Sequence, residues 1–156
     1  MNHLKKSSAL LLLSVLIHTS LMADERKDAW YVTTTGESSV MESIYGSMYA
    51  TLYEAADGNP NVYFEVHSPE HCRMNGERTM EHNPISINGT FVQISQHCNG
   101  EWNLFFPFTD QGRAYVRNQF KTSRSVTLES DGYTLIFSAI GFIEHYNKIN
   151  RNLNAL

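Results

Sequence analysis

Residues 125–140 read SVTLESDGYTLIFSAI, two runs rich in β-branched and aromatic residues on either side of Asp131-Gly132. An Asp-Gly pair between such runs is typical of a tight β-hairpin. Residues 85–98 (ISINGTFVQISQHC) surround an Asn-Gly pair in the same way, and residues 101–108 (EWNLFFPF) follow a further Asn-Gly turn. These patterns predict a chain that is mainly β and built from antiparallel hairpins.

Two segments have helical periodicity instead. Val116 and Phe120 lie four residues apart, and Thr109 or Asp110 is placed to cap the start of a short helix near 110–121. A second helix is predicted near 142–153, where one helical face would carry Phe142, Ile143, Tyr146, Ile149 and Leu153. The predicted fold is α+β in class: a small antiparallel β-sandwich or barrel with these two short helices at its periphery.

Residues 40–56 fit a helix and a strand almost equally well. Tyr45, Tyr49 and Tyr53 are spaced by four, which suits a helix, but the apolar residues of the same stretch also alternate as in a strand. Gly46 would weaken a helix. Because the turn sequence DGNPN follows, we favour a β-hairpin.

The N-terminus has the pattern of a secretory signal peptide. Lys5 and Lys6 precede an apolar run from residue 9 to residue 17, and Ala23 is a small residue before the charged DERKD. The run is shorter than the roughly 20 apolar residues that span a bilayer. We predict a signal peptide at 1–23, a single β-rich domain at 24–156 without a transmembrane span, and a periplasmic or secreted location. An uncleaved anchor is the alternative.

The chain is acidic, with 12 Lys and Arg, 16 Asp and Glu and a formal charge of −4. Loss of Lys5 and Lys6 with the signal peptide would leave ten basic residues against sixteen acidic ones, a charge of −6. Because phosphate binding needs concentrated Lys and Arg, nucleic acid is not expected as a partner.

The two cysteines, Cys72 and Cys98, each directly follow a histidine. Two cysteines in an exported protein usually oxidise to a disulfide. The chain-entropy model credits a loop of this size with roughly 3.5 kcal/mol. We predict the disulfide Cys72–Cys98, which would also remove the thiolate that a cysteine nucleophile requires.

The histidines near these cysteines define an alternative metal site. His67 and His71 have the spacing that binds a metal on a helix, but Pro69 lies between them and argues against a helix. We interpret residues 69–84 as a polar loop of the length that is usually functional or mobile. No metal or other cofactor is predicted, and His67, His71 and His82 are the ligand candidates if one binds.

The sequence VTLESDGYTLIFSAIGFIEHYNKI, at 126–149, resembles the C-terminal end of small exported bacterial proteins of the invasion-associated locus B type. Domains of that family end in a hairpin, a Gly-Phe pair and a short helix, and they begin with a strand that carries a Trp, as Trp30 would here. The resemblance covers about 35 residues, and the cysteine spacing of this chain departs from that family. It implies a β-rich exported protein connected with host interaction, and it assigns no catalytic residue.

Two surfaces are candidates for binding. One helical face carries Arg113, Arg117 and Lys121, which suits an acidic protein face, an anionic ligand or a lipid head group. Aromatic side chains form the second candidate. In the strand at 101–108, Trp102, Leu104 and Phe106 would point to one face and Phe105 to the other, so both faces are apolar. The candidate aromatic residues are Tyr49, Tyr53, Trp102, Phe105 and Phe106.

The sequence contains no nucleophile-elbow, zinc-protease or phosphate-loop motif, and we predict no catalytic residue. The first hypothesis is an exported, non-enzymatic protein that recognises another protein, as inhibitors, immunity proteins and virulence accessories do, in the bacterial envelope or outside the cell. The alternative is a barrel that encloses a small apolar ligand among Tyr49, Tyr53, Phe105 and Phe106. The second alternative is a small secreted metal-dependent hydrolase that relies on the three histidines.

Overall fold

The computed structural model of the protein describes residues 25–55 and 58–153. The predicted signal peptide therefore lies outside the described residues. Among those described, nine strands form one antiparallel sheet in the order β1-β2-β3-β4-β7-β6-β5-β8-β9. The strands are β1 (Tyr31–Val32), β2 (Ser38–Met41), β3 (Met48–Glu54), β4 (Pro60–His67), β5 (Thr79–Ile87), β6 (Thr90–Asn99), β7 (Trp102–Pro107), β8 (Ser125–Ser130) and β9 (Tyr133–Ser138). The helices are α1 (Glu25–Asp28), α2 (Pro69–Asn75), α3 (Asp110–Thr122) and α4 (Phe142–Leu153).

The sheet curls into a half-barrel. Its two ends approach each other, because the backbone N–H of Ser43, just after β2, donates to the carbonyl of Ile136 in β9 at 2.8 Å. The backbone N–H of Trp30 donates in the same way to the carbonyl of Ile140 at 2.9 Å. The prediction of a mainly β fold with peripheral helices near 110–121 and 142–153 is confirmed.

The hairpins form where the Asn-Gly and Asp-Gly pairs predicted them. Asn88 and Gly89 join β5 to β6 with φ values of 46° and 81°, and Asp131 and Gly132 join β8 to β9 with 49° and 80°. Positive φ at both central residues is typical of a type I′ turn, whose backbone twist matches the right-handed twist of the flanking strands. Residues 48–67 likewise form the hairpin that we favoured over a helix, with β3 paired to β4.

Helices α3 and α4 pack on the concave side of the sheet. Helix α3 contacts both β4 and β8, which are separated by three strands in the sheet order, so it crosses the concave face. Thr109 caps this helix by accepting a hydrogen bond from the N–H of Gly112 at 3.0 Å, as its position predicted. A side chain at Gly112 would collide with Thr109 and Val92, so glycine permits this close approach.

The centre of the core is aromatic. Phe120 of α3 is buried and lies 5.4 Å from Trp30, 5.1 Å from Phe142 and 6.5 Å from Phe64, measured between ring centroids. These contacts join α3, α4, the N-terminal segment and β4. One end of the half-barrel is thus filled by the helices and by the aromatic residues beneath them.

The interpretation of residues 69–84 as a loop was wrong. Residues 69–75 form α2, and β5 begins at Thr79. Pro69 occupies the first turn of α2, where the N–H that proline lacks has no helical partner in any case. No helix carries both His67 and His71, as Pro69 indicated, because His67 ends β4 and α2 begins only at the proline.

Within the described part of the chain, no helix has the length and apolar character needed to cross a membrane.

Candidate functional site

The end of the half-barrel that the helices leave uncovered contains an apolar cavity of about 330 Å³. Its wall is formed mainly by side chains on the concave face of six strands, and no described residue of α3 or α4 lines it. The apolar wall consists of Met48, Phe64, Ile85, Phe105, Leu128 and Leu135. Ser47, His82, Ser130 and Asp131 add polar groups.

Two tyrosines stand at the mouth of this cavity. Tyr45 lies in the loop between β2 and β3, and Tyr133 begins β9. Their rings are in edge-to-face contact at 6.4 Å although both side chains are largely exposed. An aromatic pair that remains in water at a cavity mouth offers apolar surface to an entering ligand.

The loop that carries Tyr45 is held by the carboxylate of Glu42. This side chain is fully buried and accepts backbone N–H groups of Ile44 at 2.7 Å, Tyr45 at 2.9 Å and Ser47 at 2.9 Å. Burial alone would raise the pKa of Glu42, but the backbone hydrogen bonds outweigh it and hold that pKa below its usual range. Glu42 thus fixes one wall of the cavity.

We expect Glu42→Gln to destabilise the protein at neutral pH by about 2 kcal/mol, because an amide replaces a charged acceptor of three N–H groups. The folded-state pKa is depressed, so this stabilisation is present above the unfolded pKa of about 4.3 and is lost as the pH falls through the folded value. Urea unfolding at pH 7 and near pH 3 measures the difference. Glu77→Gln, at an exposed glutamate, is the control. A Glu42→Gln effect of equal size at both pH values would contradict a role for the charge.

The predicted aromatic residues fall on opposite faces of the sheet. Phe105 lines the cavity. Tyr49, Tyr53, Trp102 and Phe106 lie on the outer face and do not line the cavity. There, Tyr49 packs against Trp102 at 6.1 Å, and Tyr63 links Tyr53 to Phe106 with centroid distances of 5.4 and 5.0 Å.

A buried carboxyl group lies among these outer-face rings. The hydroxyl of Tyr53 donates to Glu65 at 3.3 Å, and Glu65 is only 9% exposed. Burial raises the pKa of Glu65, and burial together with the charge of Glu65 raises the pKa of Tyr53. In the adjoining turn, hydroxyl donors from Thr33 and Thr35 lower the pKa of Glu37. The outer face is thus a mixed aromatic and acidic surface, different in chemistry from the cavity.

The basic residues of α3 are partly used within the chain. Arg113 donates to the carbonyl of Phe108 at 2.7 Å and pairs with Asp110. The ammonium of Lys121 lies 3.8 Å above the ring of Tyr146 in α4. Arg117 is half-buried. Arg113 thus contacts residues at the N-terminal end of α3 itself, and Lys121 contacts α4, so the basic face is less available than its sequence pattern indicated.

The three candidate metal ligands are not brought together. His67 pairs with Glu101 at 3.0 Å, and the ring of His71 accepts a hydrogen bond from the amide of Gln96 at 2.6 Å. His82 lies in the cavity wall. Across residues 25–55 and 58–153 there is no cluster of three His, Cys, Asp or Glu side chains that could hold a metal ion.

Cys72 and Cys98 form the predicted disulfide, with their Cα atoms 5.4 Å apart. It joins α2 to β6, and both cysteines are buried. The disulfide holds α2 against the sheet, and the exposed side of that helix carries Met74.

Asn88, the first residue of the glycosylation-like sequence Asn-Gly-Thr, has a structural role. Its amide donates to the side chain of Gln119 in α3 at 2.8 Å, and its oxygen accepts the backbone N–H of Thr127 in β8 at 2.8 Å. Both ends of the amide are therefore engaged inside the protein.

Comparison of the chain with protein-family models, with curated proteins and with solved structures finds no match. The resemblance to the invasion-associated locus B type stays a prediction.

Proposed function

We propose that the protein is an exported binding protein that takes a small apolar molecule into the half-barrel cavity. The observation that carries this proposal is the cavity of about 330 Å³ with a mainly apolar wall. Protein sites for small molecules typically measure roughly 300–1,000 Å³ and combine an apolar lining with a few polar groups. The cavity is at the small end of this range.

The position of the cavity supports the proposal. The rings of Phe64 and Phe137 pack 5.4 Å apart in the core, and Phe64 also lines the cavity. The floor of the cavity is therefore formed by core residues. Because the floor belongs to the core and most of the wall lies on strands, little conformational entropy has to be lost when a ligand binds. Export is supported by the signal-like sequence at 1–23 and by the disulfide, which is typical of oxidising compartments.

The test is calorimetric titration with the neutral apolar probe N-phenyl-1-naphthylamine. We expect a Kd on the order of 10 to 100 µM, as expected for an apolar ligand of this size. Leu135→Trp adds bulk to the cavity wall and should weaken binding at least tenfold. Tyr49→Trp adds a comparable indole to the outer face and should leave the affinity unchanged.

Circular dichroism would establish that both variants fold, since overpacking typically costs about 1–3 kcal/mol. Absence of probe binding to the wild-type protein would refute the proposal. Equal binding to wild-type protein and Leu135→Trp would place the probe outside the cavity and refute it as well.

Recognition of another protein is the second candidate, and the exposure of Met74 favours it. This methionine is 76% exposed on a helix that the disulfide holds in place, and methionine is enriched in protein interfaces. We expect Met74→Glu to weaken a complex with a partner from the same compartment while leaving probe binding intact. A metal-dependent hydrolase finds no support in the arrangement of the three histidines.

A further inference from the structure

We propose that the cavity selects an amphiphile with a neutral hydroxyl head group, which donates a hydrogen bond to Nε2 of His82. This inference rests on the proposed function and specifies its ligand. A volume of about 330 Å³ lies at the small end of the range for small-molecule sites, so the ligand would be a compact molecule.

An irregularity in β5 turns His82 inward. His82 is opposite Ile94 and Ile85 is opposite Val92, so three steps along β5 match two steps along β6. This is the arrangement of a β-bulge with one extra residue. Strict alternation from Ile85 would turn Asn83 inward and His82 outward. The bulge thus adds one imidazole to an otherwise apolar row of side chains.

The hydrogen bond of His82 determines which nitrogen is protonated in the neutral ring. Its Nδ1 lies 2.8 Å from the backbone carbonyl oxygen of Asn83. A carbonyl only accepts, so Nδ1 must carry the hydrogen, and in the neutral ring Nε2 is an acceptor. The ring also packs edge-to-face on Phe105 at 5.1 Å, which restricts its plane.

The other polar groups of the cavity are already engaged or exposed. Ser47 donates to Glu42 at 3.4 Å, and Ser130 donates to Asp131 at 3.2 Å. Tyr45 and Tyr133 are largely exposed to water at the mouth. Nε2 of His82 has no hydrogen-bond partner among the described residues, so it is the acceptor that a ligand would satisfy.

The charge at the cavity favours a neutral donor over a carboxylate. Asp131 lines the same cavity and would repel an anionic head group. A hydroxyl can donate a hydrogen bond to Nε2 of His82 and brings no negative charge near Asp131. The ligand class is therefore an alcohol or phenol with an apolar body.

The test compares three ligands with the same apolar body: 4-propylphenol, 4-propyltoluene and 4-propylbenzoate. The first two differ by a hydroxyl in place of a methyl group. Calorimetry on the wild-type protein should show 4-propylphenol binding about five- to tenfold more tightly than 4-propyltoluene, the gain expected for one hydrogen bond. The benzoate should bind most weakly.

His82→Phe should abolish the preference for the phenol, whereas His82→Gln, which retains an acceptor, should keep part of it. His97→Phe is the matched control, because His97 lies on the outer face of β6 and bonds to Thr79 at 3.1 Å. Nitrogen NMR of the imidazole should show hydrogen on Nδ1 and a shift of Nε2 when the phenol binds.

The outcomes separate the two proposals. Equal binding of phenol and toluene to the wild-type protein, or a preference that persists in His82→Phe, would overturn the role of His82 and leave the cavity proposal standing. Failure of all three ligands and of the naphthylamine probe would overturn both.

Discussion

Phe120→Ala should destabilise the protein by about 3–5 kcal/mol, a large part of the stability of a domain this size. Phe120 is 1% exposed and contacts Trp30, Phe64 and Phe142. Truncation removes the transfer free energy of the ring and leaves a cavity between α3, α4 and the sheet. Because these elements meet at this one side chain, neighbouring residues have little freedom to fill the space.

Phe91→Ala is the matched control for this prediction. Phe91 lies on the outer face of β6 and is 77% exposed, so the same substitution should change the free energy of unfolding by no more than about 0.5 kcal/mol. Urea unfolding followed by circular dichroism measures both variants. Similar losses for Phe120→Ala and Phe91→Ala would show that the helices do not form the central packing described above.

Removal of the disulfide by the double substitution Cys72→Ala and Cys98→Ala should lower the free energy of unfolding by roughly 3.5 kcal/mol. The cysteines are 26 residues apart, and in the chain-entropy model the link stabilises by restricting the unfolded chain. We also expect α2 to become the most protease-sensitive part of the variant, since the bond attaches it to β6.

Reduction of the wild-type protein gives an independent measurement of the same effect. Wild-type protein with its thiols reduced should unfold at nearly the urea concentration of the double variant, whereas the double variant should not respond to the reductant. A fully stable double variant that resists proteolysis at 69–75 would contradict the prediction and would assign the attachment of α2 to its other contacts.

Cavity binding should survive loss of the disulfide if the variant remains folded. No cavity-wall residue lies in α2, and Cys72 and Cys98 do not line the cavity. Titration with the naphthylamine probe at low urea therefore separates the stability effect from the function. This comparison also distinguishes ligand binding in the cavity from partner binding at Met74, because Met74 lies in α2 and the cavity wall does not.

The sequence by itself determined the secondary structure wherever local rules dominate. Asn88-Gly89 and Asp131-Gly132 allow the positive φ values of tight hairpins, and Thr109 supplies the oxygen that caps α3. Strand alternation also indicated that Phe105 points away from Trp102 and Phe106. The pairing of Cys72 with Cys98 followed from there being only two cysteines in the chain.

Only the tertiary structure decided which inward-facing residues form core and which form a cavity. Met48, Phe105 and Leu135 have the same strand pattern as fully buried residues, yet they are only partly buried and line the cavity because α3 and α4 cover just part of the concave face. His82 is a similar case, since it faces inward through a bulge that depends on pairing with β6. Alternation along a strand is a local property of the backbone. Which part of the concave face is covered depends on where α3 and α4 pack. These helices are distant in sequence from most of the strands, so the residue pattern of one strand cannot specify whether a helix covers it.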